Sequence, residues 1–205
     1  KELANAYPSL RVWHVENVAI LLAGLPFALL LPKAGLPAFC AKPFFSKNHL
    51  LIPVAIGIVF GLLDVLVIEW ILPHPVHTTL PPYTQPFPYS LFLYFSGAFE
   101  IEIFYRLIPL TLLMLVFSLF KKGVYLSHAF WIGAILTALR EPLEQWPQGP
   151  AWFVAYALVS GFAMNFIQAM LLRKQGFTAA FSLRLGHYLI WHIINGVVIE
   201  FILLR

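Results

Sequence analysis

Three charged residues lie within an apolar and aromatic stretch of the chain, GAFEIEIFYRLIPL at residues 97–110: they are Glu100, Glu102 and Arg106. On a helix, Glu102 and Arg106 share a face because they are four residues apart, so they can form an ion pair. Glu100 lies on nearly the opposite face and needs a different partner or watery surroundings. A charge at the centre of a bilayer costs about 2.5–3.5 kcal/mol, so these residues indicate either a functional site or a structural ion pair.

The last apolar stretch carries polar and aromatic residues in two stripes at helical spacing. One stripe consists of Arg184, Tyr188 and His192, and the other of His187, Trp191 and Asn195. On a helix, the members of a stripe lie along one face. A histidine in such a helix is either a hydrogen-bonded packing residue or part of a site, and a stripe that faces Glu102 favours a site.

Three further charged residues lie within or at the ends of apolar stretches. Asp64 and Glu69 belong to one stretch and are expected to face the protein interior, but the sequence does not identify their partners. Arg140 lies at the end of another stretch, where its long side chain can reach the membrane interface. Arg140 is therefore either an interfacial cation or a member of a charge network with Glu102.

The composition is that of an integral membrane protein. The chain has 205 residues, of which 60% are hydrophobic and 11% charged, and its mean hydropathy is +0.83. Soluble domains have about 25% charged residues. Apolar stretches of about 20 residues predict helical spans, because barrel strands are about ten residues of alternating character. The net charge of +4 arises mostly from loop Lys and Arg, which argues against a nucleic-acid partner. The single cysteine, Cys40, excludes an intrachain disulfide framework.

The apolar stretches predict an all-α, polytopic transmembrane helix bundle of about six spans that forms a single domain over residues 1–205. The predicted spans are 18–31, 50–72, 89–120, 124–139, 152–172 and 177–204. The third is longer than one span requires, so it is either a tilted helix or a helix broken near Ser96 and Gly97. The fourth is expected to stop before Pro142, because proline blocks continuation of a helix.

The distribution of Lys and Arg predicts the orientation of this bundle. The loops after spans one, three and five carry Lys33, Lys42, Lys47, Lys121, Lys122, Arg173 and Lys174. The other side carries Lys1, Arg11, Arg140 and Arg205. Cytoplasmic loops are enriched in these residues, so the loops after spans one, three and five are predicted to be cytoplasmic.

The order of these motifs resembles the CPBP family of intramembrane endopeptidases, which includes CAAX prenyl proteases and bacteriocin-processing relatives. SGAFEIEIFYRL, at residues 96–107, is similar to the family's EExxxR motif, with Glu102 at the second glutamate and Arg106 at the arginine. The first glutamate, which the family uses to activate the attacking water, falls on Ile101. The resemblance extends over about residues 56–205 and implies a CAAX-protease-like core in a bacterial inner membrane.

The remaining family motifs also resemble parts of this chain, with substitutions. In ILTALREP, residues 135–142, Leu136 takes the place of the family's phenylalanine and Arg140 that of its histidine. In the last two helices, Arg184 takes the motif histidine and Tyr188 the acidic or amide residue, while His192 matches a second histidine of one bacterial branch. The family chemistry is a water polarised between a glutamate base and two histidines. Isoleucine and arginine cannot perform those roles.

Two leading hypotheses follow from these substitutions. In the first, the chain is a pseudoenzyme in which Glu102, Arg106, Arg140, Arg184 and Tyr188 form a structural charge network. It then acts as a binding, assembly or accessory subunit for another membrane protein or a membrane peptide, surrounded by membrane lipids. In the second, it is an active endopeptidase with a shifted site, in which Glu100 or Glu102 acts with His187, His192 and Asn195.

Two further classes stay open. A membrane subunit that binds a cofactor or lipid can use His128, His187 or His192 to ligate a pigment or haem, although the sequence identifies neither a cofactor nor a definite metal-binding set. A proton or ion carrier can use Glu102 and Asp64, although the chain shows no inverted repeat.

Overall fold

The computed structural model describes residues 10–39, 46–72 and 76–204, so Cys40, Lys42, Lys1 and Arg205 lie outside the described residues. Nearly all of the described chain is helical. Its long helices are α1 (Val15–Leu30), α2 (His49–Ile71), α3 (Tyr89–Leu119), α4 (Leu126–Gln145), α5 (Ala151–Gln175) and α6 (Phe177–Leu203).

Four of these helices are long and apolar enough to cross a membrane: α2, α3, α5 and α6. Helix α1 is apolar but has only 16 residues, and α4 contains Arg140, Glu141 and Glu144. Large apolar side chains cover the outside of the bundle; Leu29, Val59 and Leu119 are 79%, 56% and 86% exposed. Such a surface suits contact with lipid, so the chain is a helical membrane protein with four candidate spans among the described residues.

Helix α6 packs closely against α2 because three glycines leave room for backbone contact. A Cβ atom on Gly57 of α2 would lie 1.9 Å from the carbonyl oxygen of Leu183, and one on Gly186 of α6 would lie 2.2 Å from that of Val54. Gly61 comes next along the same face of α2 and lies against His187 and Ile190. Small residues at a spacing of four commonly allow such approaches between membrane helices.

Helix α3 runs without interruption through Ser96 and Gly97, where a break was one of the two alternatives. Its irregular part is a wide π-helical turn at Ile103–Leu107, two residues before Pro109. Proline lacks a backbone N–H and its ring crowds the carbonyl four residues earlier, which accounts for a local change in the hydrogen-bond ladder. The turn contains Arg106 and follows Glu102, so it lies beside the charged residues of this helix.

Helix α4 continues to Gln145, and the prediction that it ends before Pro142 is wrong. Pro142 lies inside the helix and is buried. Helix α5 makes room for the proline ring with Gly161, at which an added Cβ atom would lie only 2.9 Å from Pro142 Cγ. The additional turn places Glu141 in the protein interior.

The two ends of the bundle differ in their packing. At the end where α5 turns into α6, the core is apolar and aromatic, with Phe177 packed against Phe39, Phe99 and Phe181. At the opposite end, the loop 76–88 folds over the helices. Its Tyr83 stacks on Trp191 of α6 with 4.7 Å between ring centroids, and burial raises the pKa of Tyr83. The polar residues of the interior therefore lie between an apolar layer and this loop.

Candidate functional site

Four charged side chains from three helices meet in the centre of the bundle. Glu102 and Arg106 come from α3, Glu141 from α4 and Arg184 from α6, and each is at most 6% exposed. Glu102 Oε1 accepts hydrogen bonds from Arg106 Nη1 at 3.0 Å and from Arg184 Nε at 2.8 Å. Arg184 also binds Glu141 through two parallel bonds, of 2.8 and 2.7 Å. We call these four residues the ion quartet.

Two amide side chains of α5 complete the hydrogen bonding around the ion quartet. Asn165 accepts from both arginines, at 3.0 Å from Arg184 Nη2 and through a shorter contact with Arg106 Nη2. Gln168 donates to Glu102 Oε1 and accepts from Arg184 Nη2 at 3.2 Å. A buried ion pair is stable only when its remaining donors and acceptors have hydrogen-bond partners. The amides of Asn165 and Gln168 supply many of these partners.

The chemistry open to the ion quartet is limited by its own contacts. Its two carboxylates and two guanidinium groups sum to zero charge, and arginine stays protonated at physiological pH. Glu102 Oε1 already accepts three hydrogen bonds. Its other oxygen has no hydrogen-bond partner in the described part of the chain, but it is fully buried. The ion quartet is therefore a buried network of zero net charge in which Glu102 Oε1 is fully engaged by hydrogen bonds.

The structure brings together three of the sequence-predicted network residues, Glu102, Arg106 and Arg184, but leaves Arg140 outside. The Arg140 side chain is 38% exposed and pairs with Glu144 at 2.8 Å, while its guanidinium group lies over the ring of Phe104. Two hydrogen bonds to Glu144, the larger effect from the Tyr105 hydroxyl and the smaller from Arg140, hold the pKa of Glu144 below its usual value. This corrects the placement of Arg140 in the network.

Glu141 occupies the position in the network that Arg140 was expected to take. It was missed because the helix was expected to end before Pro142, which would have left residue 141 in a loop. A signal was present in the sequence, since Glu141 and Ala138, Ala134 and Phe130 lie at helical spacing on one buried face. Glu141 belongs to that face only if the helix continues past Pro142.

Tyr188 connects the ion quartet to the histidines of α6. Its ring centroid lies 5.7 Å from the guanidinium carbon of Arg184 on one side and 4.5 Å from the ring centroid of His192 on the other. His192 in turn stacks on Tyr94 of α3, with 4.2 Å between the ring centroids. The predicted stripe of Arg184, Tyr188 and His192 thus faces α3, as a shared site with Glu102 requires.

A cavity of about 970 Å³ adjoins the ion quartet on the side of the loop 76–88. Glu141, Asn165 and Tyr188 form part of its wall, whereas Glu102, Arg106 and Arg184 are not among its described lining residues. Other polar lining residues include Arg11, Asn17, Asp64, Glu100, Ser160, His187 and His192. The predicted site residues therefore separate into two groups. Glu102 is buried and does not line the described cavity, whereas Glu100, His187 and His192 do line it.

A three-residue hydrogen-bonded chain lies in the cavity wall. Asp64 of α2 accepts from the Tyr156 hydroxyl at 2.7 Å and contacts His187 Nε2 at 2.7 Å. In the neutral imidazole, this contact fixes the proton on Nε2 and leaves Nδ1 as an acceptor. Within residues 10–39, 46–72 and 76–204, Nδ1 is buried and has no hydrogen-bond partner. The structure thus supplies the partner of Asp64 that the sequence did not identify.

Glu100 lies elsewhere in the cavity wall, and in the described part of the chain it has one hydrogen-bond donor. Asn17 Nδ2 lies 2.6 Å from Glu100 Oε2. The orientation of that amide is set by its own oxygen, which accepts from the backbone N–H of His14 at 2.8 Å. Glu100 is 9% exposed, and its Oε1 has no partner among the residues that the structure describes.

The complete set of the shifted-site hypothesis is not assembled. Asn195 donates to Glu69 at 3.0 Å, in a cluster in which Glu69 also accepts from Tyr83. Neither Asn195 nor Glu102 is among the described residues that line the cavity. His128, a candidate ligand for a pigment or haem, lies near Tyr125 at the start of α4 and is likewise not among them. The described residues contain no group of three or more His, Cys, Asp or Glu side chains placed to hold a metal ion.

Comparisons with known proteins do not assign the chain to a family. No family model, no curated protein and no solved structure matches it.

Proposed function

We propose that the chain is a six-span member of the CPBP, or CAAX-protease-like, family that has lost hydrolysis through its glutamate. It binds a segment of another membrane protein, or a membrane peptide, in the cavity beside the ion quartet and acts as an accessory or assembly subunit. The observation that carries this proposal is that two arginines and an amide occupy Glu102 Oε1, away from the cavity.

The contact between Glu102 and Arg184 supports the family resemblance. The resemblance assigns Glu102 to a motif glutamate and Arg184 to a motif histidine, two positions that the family chemistry requires to face each other. The two side chains are 2.8 Å apart although 82 positions separate them in the sequence. A direct charge pair at these positions takes the place of a bound water.

The ion quartet argues against proteolysis by the family mechanism. A general base needs a free lone pair within hydrogen-bond reach of the attacking water. At the first motif position, Ile101 offers no lone pair. Glu102 Oε1 already accepts three hydrogen bonds, and Oε2 is fully buried. The scaffold is therefore proposed to serve in binding.

The cavity is the proposed binding site because of its size and position. A volume of about 970 Å³ is at the upper end for pockets that enclose small ligands or short peptide segments. Arg11 and Gln145 are exposed residues of its rim. We place the protein in a bacterial inner membrane with the loops after helices one, three and five in the cytoplasm. The cavity then opens toward the opposite side, from which the partner segment enters.

Photocrosslinking at Gly97 tests the binding role. Gly97 lines the cavity, and a Cβ atom added there has no neighbour within 4 Å among the described residues, so a side chain at this position starts in open space. A photoreactive phenylalanine at position 97 is expected to give one discrete protein adduct in native membranes. The same residue at Val59, which is 56% exposed, is the lipid-facing control and is expected to give none. Equal adducts from both positions, or none from position 97, contradict the proposal.

A second candidate function is favoured by the unpartnered Nδ1 of His187. The pair of Asp64 and His187 has the form of a base held in one tautomer by a carboxylate. In this alternative, Nδ1 takes a proton from water, the hydroxide attacks a peptide carbonyl carbon, and the amine leaving group receives the proton. Prenylated and unmodified membrane peptides, offered to the purified protein, test it. Cleavage that His187→Gln abolishes supports this activity, and equal product patterns from parent and variant exclude it.

A further inference from the structure

We propose that the cavity binds a ligand that carries a primary ammonium group on an apolar body, and that Glu100 is the counter-ion of this group. The inference deepens the proposed function, because it rests on the cavity as a binding site and names the chemistry recognised there. Its basis is the presence, in one cavity wall, of two buried acceptors that have no donor among the described residues, Glu100 Oε1 and His187 Nδ1.

Of these two acceptors, Glu100 gives the stronger support for the proposal. A carboxylate that is 91% buried is normally paired with a cation or with several donors. Glu100 receives one neutral donor, Asn17 Nδ2 at 2.6 Å. In the described parts of the chain, no Lys, Arg or His side chain lies within 4.0 Å of its oxygens, the distance of an ion pair. Among the described residues, Glu100 Oε1 therefore has neither a positively charged partner nor a hydrogen-bond donor, and an ammonium group supplies both.

The ion quartet does not provide the missing charge. Its two negative and two positive groups compensate one another, so it contributes no net charge to the cavity that it adjoins. The other cavity carboxylate, Asp64, is bound by Tyr156 and His187, which carry no positive charge when the imidazole is neutral. Among the described lining residues, the side chain with a permanent positive charge is that of Arg11, which lies on the exposed rim. Outside the ion quartet, the charged carboxylates of the described cavity lining are thus Glu100 and Asp64, and Arg11 at the rim is the cation opposite them.

The aromatic residues of the cavity wall account for the apolar part of the proposed ligand. Aromatic side chains contribute much of the wall, namely Trp13, Tyr83, Tyr94, Phe153, Tyr156, Tyr188 and Trp191. Such rings pack against apolar groups, and their faces attract cations. An amphiphile with an ammonium head can therefore place its charge at Glu100 and its body against the rings. The shared chemistry occurs in a peptide amino terminus and in an aminophospholipid headgroup.

Dansylcadaverine, a primary amine on an aromatic body, is a suitable probe. The full chain is purified in a non-ionic detergent, and binding of the probe is followed by fluorescence anisotropy. The matched control probe is its N-acetylated form, which lacks the charge. Parent protein is expected to bind the amine and not the acetylated form. Glu100→Gln is expected to weaken binding about ten- to a hundredfold, because it removes one charge-assisted hydrogen bond.

Two variants separate a loss of recognition from a loss of folding. Glu144→Gln makes the same chemical change at an exposed residue that is not among the described cavity lining, and it is expected to leave binding unchanged. Gly97→Trp places a large side chain in the cavity from a position where an added Cβ atom meets open space among the described residues, and it is expected to block binding while the protein remains folded. Thermal unfolding of each variant is recorded alongside. Parent-like binding by Glu100→Gln, or equal binding of amine and acetylated probe, overturns the inference.

Competition experiments distinguish the natural sources of the ammonium group. An apolar peptide with a free amino terminus is compared with its acetylated form, and lysophosphatidylethanolamine with lysophosphatidylcholine. Displacement by the free peptide alone supports a peptide ligand, and displacement by lysophosphatidylethanolamine alone supports a lipid ligand. If neither displaces the probe, the inference is wrong.

The probe-binding experiment and the crosslinking experiment at Gly97 test different claims. A discrete adduct at position 97 combined with parent-like probe binding by Glu100→Gln keeps the proposed binding role and rejects the ammonium ligand. Glu100-dependent probe binding without any protein adduct rejects the accessory role and keeps a small-molecule site.

Discussion

Arg184 Nε lies 2.8 Å from Glu102 Oε1 and joins the last helix to the third at the centre of the bundle. The same guanidinium group makes two bonds to Glu141 of α4. One side chain thereby holds three helices through charge-assisted hydrogen bonds, which are stronger than neutral ones in an apolar interior. The stability of the bundle is expected to depend strongly on this residue.

Arg184→Met is expected to lower the free energy of unfolding by about 3–5 kcal/mol, because it leaves two buried carboxylates with one guanidinium group. Titration with a denaturing detergent in mixed micelles measures this. Arg140→Met is the control, since Arg140 pairs with Glu144 at the surface, and its effect is expected to stay within about 1 kcal/mol. Equal losses in both variants contradict a central role for Arg184.

Glu141→Gln is expected to be about as damaging as Glu102→Gln, although the family resemblance assigns no role to residue 141. The reason is its two-bond contact with Arg184, in which both carboxylate oxygens take part. Comparing the two single variants with the double variant in the same unfolding assay gives their coupling. Additive effects would indicate that the two carboxylates do not share one network.

Gly57→Ala is expected to destabilise the protein by at least about 1–3 kcal/mol, because the added methyl group meets the backbone of α6. The Cβ atom would lie 1.9 Å from Leu183 O, so the helices must separate. Gly97→Ala is the matched control, as its Cβ atom meets open space among the described residues. The thermal midpoint of each variant, followed by size-exclusion chromatography after heating, checks the difference. A stable Gly57→Ala variant would show that the helices do not approach so closely.

Asp64→Asn is expected to lower the free energy of unfolding by about 1.5–3 kcal/mol, because His187 loses a charged acceptor. Tyr156→Phe removes only a hydroxyl donor from the same carboxylate and is expected to cost about 1 kcal/mol. Both are measured in the same detergent titration. The order of the two effects is the test, and a larger loss in Tyr156→Phe would contradict the assignment of His187 as the main partner.

Cysteine labelling checks the orientation of the bundle. In a Cys40→Ser background, Gln148→Cys is expected to react with a membrane-impermeant maleimide in intact cells, because it lies in the α4–α5 connection near the cavity. Val124→Cys, which is 71% exposed at the other end, is expected to react only after the membrane is broken. The distribution of loop Lys and Arg gives this expectation. The reverse pattern of labelling would place the cavity on the cytoplasmic side.

Local parts of the site could be predicted from the sequence. The pair of Glu102 and Arg106 depends on a spacing of four within one helix, which holds wherever the helix forms. The stripe of Arg184, Tyr188 and His192 follows from the same rule. The contact between Arg184 and Glu102 was reached through the family resemblance, because spacing alone does not select a partner from another helix.

The remaining contacts depend on how closely the helices pack. Asp64 meets His187 because Gly57 and Gly61 bring α2 against the backbone of α6. These two glycines and Asp64 lie at positions i, i+4 and i+7, so they share one helix face, and this pattern was the available signal. Glu141 was missed for a different reason, since the helix-breaking tendency of Pro142 is overcome by its packing against Gly161.

The ion quartet also implies an order of assembly during synthesis. Helix α3 carries a self-compensating pair, Glu102 and Arg106, whereas Glu141 of α4 and its two-bond partner Arg184 are separated by 43 residues. Glu141 is therefore synthesised before the guanidinium group that binds both of its oxygens. Only the last helix completes the neutral centre, so a chain that ends before α6 carries two carboxylates and one guanidinium group, that of Arg106, at this place.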